Sequence, residues 1–316
     1  MTDTMTIKKG FSGTWPDILT PVKSNLSIDF QRLESHIRTL FFKGVNGVVL
    51  FSHAGEGASF SYAEKSETIT GLIKAGISPD SIILSITSNS VPDSVHLIHL
   101  AESLGLHGVL LSPPFYYKPV SADGLIHYFE YLTAYIKSPD TKLYIHLLPR
   151  STHLDIPEVA LSTIVDRWGN HIYGIVNQTD VSSISDDLRK SFVNKVMIYT
   201  ANETDIKRLS SSGTISLMAN LIPRVIKGLI MGQQAGGGST FIPGMKDKTT
   251  VDTRASELQL LVAKHPFIAS YKYLMSLLYR DAEWRRSRPP LSPLDNASYE
   301  ILNKEFKKFN IQTNDE

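Results

Sequence analysis

The chain has 316 residues, of which 42% are hydrophobic and 20% are charged, so it can bury a large core. Lys and Arg number 32 and Asp and Glu number 31, which argues against a general nucleic-acid-binding protein because such proteins carry a clear basic excess. The absence of cysteine excludes disulfides, zinc–thiolate sites, iron–sulfur clusters and a cysteine nucleophile. A polar N-terminus and apolar runs far shorter than the ~20 residues of a membrane span predict a soluble, cytoplasmic protein that does not bind membranes.

Eight short apolar runs, rich in Val, Ile, Leu and Tyr, recur along the first two thirds of the chain. Each has the length and composition of a strand that is buried on both faces, although the first run is weaker than the others. They cover residues 15–20, 48–51, 82–86, 109–111, 143–148, 172–176, 196–199 and 215–218.

Amphipathic stretches separate these runs. Residues 30–41 carry an apolar stripe at helical spacing. Similar stretches cover residues 95–104, 122–136, 157–168 and 182–192. In the third of these four, Asp155 is the predicted N-cap and Pro157 the predicted first helical residue.

Strand and helix alternate about eight times, which favours a parallel sheet with helical crossovers. That number of units predicts an α/β fold of the closed (β/α)8 type, a TIM barrel, rather than an open sheet. No Gly-x-Gly-x-x-Gly follows the first run, which weakens a dinucleotide-binding alternative. After residue 230 the pattern changes to a loop with glycines at 236–238 and then to further helices. We therefore predict a barrel over residues 1–230 and a C-terminal helical extension over 231–316 packed on it.

The active site of such a barrel lies at the C-terminal ends of the strands, so the residues just after each run matter most. Five segments at these ends or later in the chain resemble motifs of the dihydrodipicolinate synthase / N-acetylneuraminate lyase family, in the family's order. They are Ser52-His53-Ala54-Gly55-Glu56, Pro114-Phe115-Tyr116-Tyr117-Lys118-Pro119, the stretch 146–152 beginning at His146, the stretch 213–220 ending at Asn220, and the Arg-Pro-Pro-Leu-Ser-Pro-Leu of 288–294.

The resemblance implies class I aldolase chemistry, in which a strand-six lysine forms an imine with pyruvate or another 2-oxo acid. The family places that lysine in Gly-x-Lys, and the matching residues here are Gly174-Ile175-Val176. Valine has no amine, so we predict that imine chemistry is lost. The missing lysine has no obvious substitute in Lys118, Lys142 or Lys195. Packing in the barrel interior is the simpler interpretation of Val176.

The family's proton relay uses a tyrosine at the end of strand five, a threonine of the strand-two motif and a tyrosine from a neighbouring subunit. The matching positions here are His146, Ala54 and Tyr116, so we predict His146 and Tyr116 as catalytic residues. The resemblance further implies that a small carboxylate or 2-oxo acid is the ligand, that no cofactor is needed, and that the protein is a homodimer or homotetramer. The predicted substrate-binding residues are His53, Ala54, Gly55, Arg150 and Ile215.

Several alternatives stay open. His53 and His146 could ligate a metal, but no third ligand is evident, so we predict no metal. Arg150 is an attractive carboxylate clamp, although the family's arginine aligns with Ser151, one place later. Glu56 is expected to shape its loop rather than to act as a base. The protein is thus either an imine-free lyase or a catalytically inactive relative with a binding, structural or regulatory role.

Overall fold

The computed structural model describes residues 10–178, 184–192, 195–206, 212–234 and 248–309; the glycines at 236–238 lie outside these ranges. Eight parallel strands form one sheet with the order β1-β8-β7-β6-β5-β4-β3-β2. A parallel bridge between Asp17 and Val49 joins β1 to β2, and the amide of Ile18 donates to the carbonyl of Val49 at 2.9 Å. The strands are β1 (Gly13–Pro16), β2 (Val48–Leu50), β3 (Ile82–Ile86), β4 (Gly108–Leu111), β5 (Leu143–Leu147), β6 (Ile172–Asn177), β7 (Met197–Thr200) and β8 (Gly213–Ser216).

Helices connect the strands and continue after the barrel, which confirms the predicted (β/α)8 barrel with C-terminal helices. They are α1 (Phe30–Phe42), α2 (Tyr62–Lys74), α3 (Val91–Leu104), α4 (Ala122–Ala134), α5 (Pro149–Thr152), α6 (Glu158–Trp168), α7 (Asp186–Phe192), α8 (Pro223–Gln234), α9 (Lys248–Val262), α10 (Phe267–Leu278) and α11 (Asn296–Lys308). No helix in the described ranges is long and apolar enough to cross a bilayer.

The start of α6 differs from the prediction. The helix begins at Glu158 and Pro157 is its N-cap, so Asp155 does not cap it. Proline cannot supply the side-chain oxygen that an N-cap aspartate would offer, and its backbone here is extended rather than helical.

Two strands are displaced from their predicted positions, in the same direction. β1 covers Gly13–Pro16 instead of 15–20, and β8 covers Gly213–Ser216 instead of 215–218. The apolar residues beyond each strand are buried for another reason: Leu19 and Met218 lie in a core shared with the C-terminal helices. The predicted strand boundaries are therefore shifted, because each hydrophobic run continues past its strand into a loop that packs against the C-terminal helices.

The C-terminal helices cover one end of the barrel. Leu258 of α9 and Leu274 of α10 share a core with Leu19 and Ile222 of the barrel. The boundary predicted at residue 230 falls inside α8.

Side chains alternate between the barrel interior and its outer face along most strands, but the register shifts between β5 and β6, and Tyr173 and Val176 both pack with the inner layer. An inner apolar layer faces the barrel axis, while an outer layer packs against the helices. The inner layer comprises Phe11, Trp15, Val49, Ile83, Leu110, Tyr144, Val176, Tyr199 and Ile215. Phe11 closes the N-terminal end, since its ring stacks on that of Tyr199 with 3.8 Å between centroids.

Candidate functional site

A cavity of about 320 Å³ lies at the C-terminal ends of β5 to β8, the end of the barrel where the sequence predicts the site. One wall consists of residues that directly follow these strands: Leu148, Gln178, Ala201 and Leu217. The opposite wall comes from the C-terminal helices. It comprises Gln259 and Val262 of α9, Ala263, and Phe267 and Tyr271 of α10. The helices that follow the barrel therefore complete the cavity.

The loop after β2 begins with an unusual backbone turn. Phe51 has a φ of 62°, a left-handed conformation that an aromatic residue rarely adopts, and its side chain packs in the outer core. Ser52 then donates a short hydrogen bond from Oγ to the carboxyl group of Asp17. The turn thus directs a serine hydroxyl toward the top of β1.

The amides of Ala54 and Gly55, predicted to bind a substrate carboxylate, have an acceptor within the protein. Both donate to Ser52 Oγ, at 3.1 and 3.3 Å. A substrate carboxylate would therefore have to displace that hydroxyl. The side chain of His53 instead lines the cavity, and its ring stacks at 6.5 Å on Phe267. Burial lowers the pKa of His53.

Arg150 lies at the cavity mouth. The short helix α5 starts at Pro149, directly after β5, and carries both Arg150 and Ser151 to the cavity lining. Arg150 is exposed, and its guanidinium has no hydrogen-bond or ion-pair partner among the described residues. A free guanidinium offers a bidentate fork to a carboxylate.

Two buried acids near the cavity are absent from the sequence-based predictions. Glu203 lines the cavity in the turn after β7, where its Oε1 accepts hydrogen bonds from Ser216 Oγ at 2.7 Å and from the amide of Met218 at 3.1 Å. Burial raises the pKa of Glu203. Burial also raises the pKa of Asp17 to about 7; the hydrogen bond from Ser52 opposes this rise and the charge of Glu203 adds to it.

A signal for Glu203 was present in the sequence. It stands three residues after Thr200, the last residue of β7, so it occupies a strand C-terminus of the kind that carries site residues. Asp17 was not predicted as a site residue because it falls within the predicted first strand, residues 15–20.

His146 and Val176 lie below the cavity floor. They pair in register on β5 and β6 and are 2% and 0% exposed. His146 is two residues before Leu148, which lines the cavity. Neither ring nitrogen of His146 has a hydrogen-bond partner in the described parts of the chain. Burial lowers the pKa of His146 to about 3, with a smaller contribution from the charge of His53, so the imidazole is neutral at pH 7.

The remaining predicted residues lie apart from the cavity. Tyr116 is 73% exposed on the loop after β4. Asn89 Oδ1 holds that loop by accepting from the amides of Phe115 and Tyr116 at 2.7 and 2.9 Å. Ile215 belongs to the apolar interior layer. Within one chain, then, His53 and Arg150 share the cavity, His146 lies near His53, and Tyr116 does not reach it.

Glu56 connects the loop after β2 to the C-terminal segment. Its carboxylate forms a fully buried ion pair with Lys272 of α10 and accepts from the amide of Arg288 at 2.8 Å. The ammonium of Lys272 also donates to the carbonyl of Arg286 at 2.6 Å. These contacts support the structural role expected for Glu56.

Comparison with known proteins identifies the family. The Dihydrodipicolinate synthetase family matches residues 10–309. A 4-hydroxy-tetrahydrodipicolinate synthase of Staphylococcus haemolyticus is 24% identical over 308 residues, which is 95% of this chain and 97% of that protein.

Solved structures agree on the fold. Dihydrodipicolinate synthase from Agrobacterium tumefaciens superposes with a TM-score of 0.82 at 23% identity and covers 95% of this chain and 99% of its own. A prophage protein of the dihydrodipicolinic acid synthase family from E. coli K12, solved in complex with pyruvate, gives 0.82 at 19% identity, with the same two coverages. The chain belongs to the dihydrodipicolinate synthetase family, whose members are aldolase-type lyases.

Proposed function

We propose that this protein binds a small carboxylate of the 2-oxo acid class in the cavity above β5 to β8 and forms no imine with it. The observation that carries the proposal is Val176, which occupies the position matched to the imine lysine and is wholly buried among apolar side chains. A methyl-bearing side chain cannot attack a ketone, whereas an amine can.

No lysine among the described residues lines the cavity. Lys118 is exposed on the loop after β4 and is not part of the cavity lining. Lys272 is buried, but its ammonium is held by Glu56 and by the carbonyl of Arg286. Burial lowers the pKa of Lys272 and its pairing with Glu56 opposes this, but the side chain is not part of the cavity lining, so its amine is not placed to attack a ligand there.

Ligand binding is supported by the polar groups at the cavity. The unpartnered guanidinium of Arg150 suits the carboxylate, and His53 provides a second polar contact from the opposite loop. Gln259 Oε1 is buried and has no partner among the described residues, so it can accept a hydrogen bond from a ligand hydroxyl. In the E. coli prophage protein the ligand is pyruvate, a member of the same chemical class.

An imine-free lyase would use His146 and Tyr116. A pKa of about 3 makes His146 a weak base, so its contribution is that of a neutral donor that polarises a carbonyl group. Tyr116 would supply its hydroxyl to the cavity of a neighbouring chain in a homodimer or homotetramer. Ala54, Gly55 and Ile215, predicted to bind the substrate, are not part of the described cavity lining, so this candidate does not depend on them.

A catalytically inactive relative is the second candidate. One observation favours it: His146 lies below the cavity floor and is only 2% exposed, so its ring does not face the cavity. Binding by Arg150 and His53 is common to both candidates.

The proposal is tested by trapping. We expect that incubation with pyruvate and borohydride leaves the intact mass unchanged, while calorimetry detects pyruvate binding. The matched control is Val176→Lys, which restores an amine at the family position. A stable adduct on any lysine of the native chain would overturn the absence of imine chemistry, and a lack of pyruvate binding would overturn the ligand class.

A further inference from the structure

Two aromatic rings lie nearly parallel at the cavity. The imidazole of His53, in the loop after β2, and the phenyl ring of Phe267, the first residue of α10, both line it. Their planes are 19° from parallel and their centroids are 6.5 Å apart. We refer to His53 and Phe267 as the ring pair. A polar contact from His53 to a carboxylate leaves the faces of both rings without a role.

The ring pair presents uncovered aromatic surface to the cavity. Phe267 is 38% exposed, although phenylalanine is among the residue types most often buried. Phe11 and Tyr199, which stack directly in the barrel interior, have centroids only 3.8 Å apart. Carbon atoms in contact are about 3.5–4.0 Å apart, so a planar group between two parallel rings needs a separation of about 7 Å. The separation of 6.5 Å in the ring pair is close to that value.

The protein holds the two rings at this separation. The carbonyl of His53 accepts a hydrogen bond from the amide of Glu56 at 3.1 Å. The Glu56 carboxylate forms its buried ion pair with Lys272, which belongs to α10, the helix that begins at Phe267. Tyr271, one turn beyond Phe267, packs edge to face on its ring at 5.3 Å. The ring pair is therefore preorganised, which lowers the cost of binding a ligand there.

Apolar residues continue the cavity lining from the ring pair. Val262 and Ala263 come shortly before Phe267 in the chain and line the same cavity, whereas Arg150 lies at its mouth. Burial lowers the pKa of His53, which favours the neutral imidazole. A neutral ring stacks on an apolar group without the cost of removing a charge from water. A ligand that uses both regions carries a carboxylate and, away from it, an apolar planar group.

The cavity is larger than pyruvate requires. Its volume is about 320 Å³, and cavities of about 300–1,000 Å³ hold drug-sized ligands. Pyruvate is a three-carbon acid, so its binding at Arg150 leaves much of this volume unfilled. The unfilled part is the part that the ring pair borders.

We propose that the ring pair binds a planar apolar group of the ligand, such as a phenyl ring, while Arg150 binds the carboxylate. The inference rests on the proposed function and narrows its ligand to 2-oxo acids that carry an aromatic substituent. Aromatic rings gain affinity from stacked and edge-to-face contacts beyond the burial of their area. A branched saturated chain buries similar area but offers no flat face to either ring, so the ring pair selects for planarity.

The test compares three 2-oxo acids by calorimetry: pyruvate, phenylpyruvate, and 4-methyl-2-oxopentanoate, which is apolar but not planar. The native protein should bind phenylpyruvate about tenfold more tightly than 4-methyl-2-oxopentanoate. Phe267→Leu keeps an apolar side chain and should remove this preference while leaving pyruvate binding unchanged. Phe267→Tyr keeps the ring and should retain the preference. Phe42→Leu, at an exposed phenylalanine of α1 outside the described cavity lining, is the matched control.

NMR provides a second measurement that does not depend on a variant. Stacked aromatic rings shift each other's proton signals upfield. Phenylpyruvate should therefore shift the ring protons of His53, and its own phenyl protons should shift on binding. Pyruvate should produce no such ring-current shift.

The outcomes separate the two proposals. Equal affinity for phenylpyruvate and 4-methyl-2-oxopentanoate, or a preference that survives in Phe267→Leu, would overturn the ring pair as a ligand site and leave pyruvate binding intact. An equal loss of both apolar ligands in Phe267→Leu would show an apolar surface without selection for planarity, which also overturns it. Absence of binding by all three acids would overturn both proposals. If thermal unfolding shows that Phe267→Leu is misfolded, the affinities of the native protein and the NMR shifts decide.

Discussion

His146 and Val176 are paired neighbours on β5 and β6, and both are shielded from solvent below the cavity floor. By the motif resemblance, these two positions correspond to the relay tyrosine and the imine lysine of the family. In the proposed function, an imidazole and an apolar side chain therefore stand where a hydroxyl and an amine would be. Under that proposal the pair forms no covalent bond with a ligand and keeps one group that can exchange a hydrogen bond.

Burial should keep His146 neutral down to acid pH. With the pKa lowered to about 3 in the folded state and about 6.5 in the unfolded state, the group contributes stability above pH 6.5 that is lost as the pH falls toward 3. NMR of the ring nitrogens should show no protonation of His146 between pH 5 and 8. A midpoint near 6.5 would mean that water or a partner reaches the ring.

Arg150 should control carboxylate affinity without affecting stability. Arg150→Ala should weaken pyruvate binding by roughly 10- to 100-fold, because a charge-assisted hydrogen bond contributes about 1.5–3 kcal/mol. The temperature of unfolding should not change, since the side chain is exposed and has no partner among the described residues. Calorimetry measures the affinity. Ser151→Ala is the matched control on the same helix, and an equal loss there would show that the effect of Arg150→Ala is not specific to the guanidinium.

The sequence predicted the barrel well because its strands are short apolar runs separated by amphipathic helices. It did not reveal that Ser52 occupies the amides of Ala54 and Gly55. That contact depends on the left-handed backbone of Phe51, and no local preference of an aromatic residue predicts such a turn. The two buried acids near the cavity escaped prediction for different reasons: Asp17 falls inside a predicted strand, and Glu203 lies three residues beyond the end of β7, in a turn with no recognisable motif.

Asp17 should make stability depend on pH in the direction opposite to His146. Its folded pKa is about 7, against an ordinary value of 3.8, so its contribution is present below pH 4 and is lost as the pH rises through 7. In Asp17→Asn the slope of unfolding free energy against pH between 4 and 7 should change by up to about 1.4 kcal/mol per pH unit. Chemical denaturation at several pH values measures it. An unchanged slope would mean that Asp17 is ionised in the folded protein.

The buried pair of Glu56 and Lys272 should be sensitive to the loss of one partner. Lys272→Met leaves a buried carboxylate without its cation and should destabilise the fold by about 3–5 kcal/mol. Glu56→Gln combined with Lys272→Met should recover part of this loss, because no unpaired charge remains. Lys308→Met, which removes an exposed pair with Glu305, should have little effect. Equal instability of the single and double variants would show that packing, not charge, is responsible.

The exposed aromatic loop after β4 should lie at a subunit contact. Tyr116 and Tyr117 are 73% and 76% exposed, and their rings meet edge to face at 5.2 Å. Two large aromatic side chains left in water are typical of an interface, where aromatic residues are enriched. Light scattering at micromolar concentration should therefore give at least a dimer, and Tyr116→Asp with Tyr117→Asp should shift it toward the 35.1 kDa monomer. Tyr131→Asp, at another exposed tyrosine outside this loop, is the control. A native protein that is monomeric under these conditions would also rule out a relay tyrosine donated from a neighbouring chain.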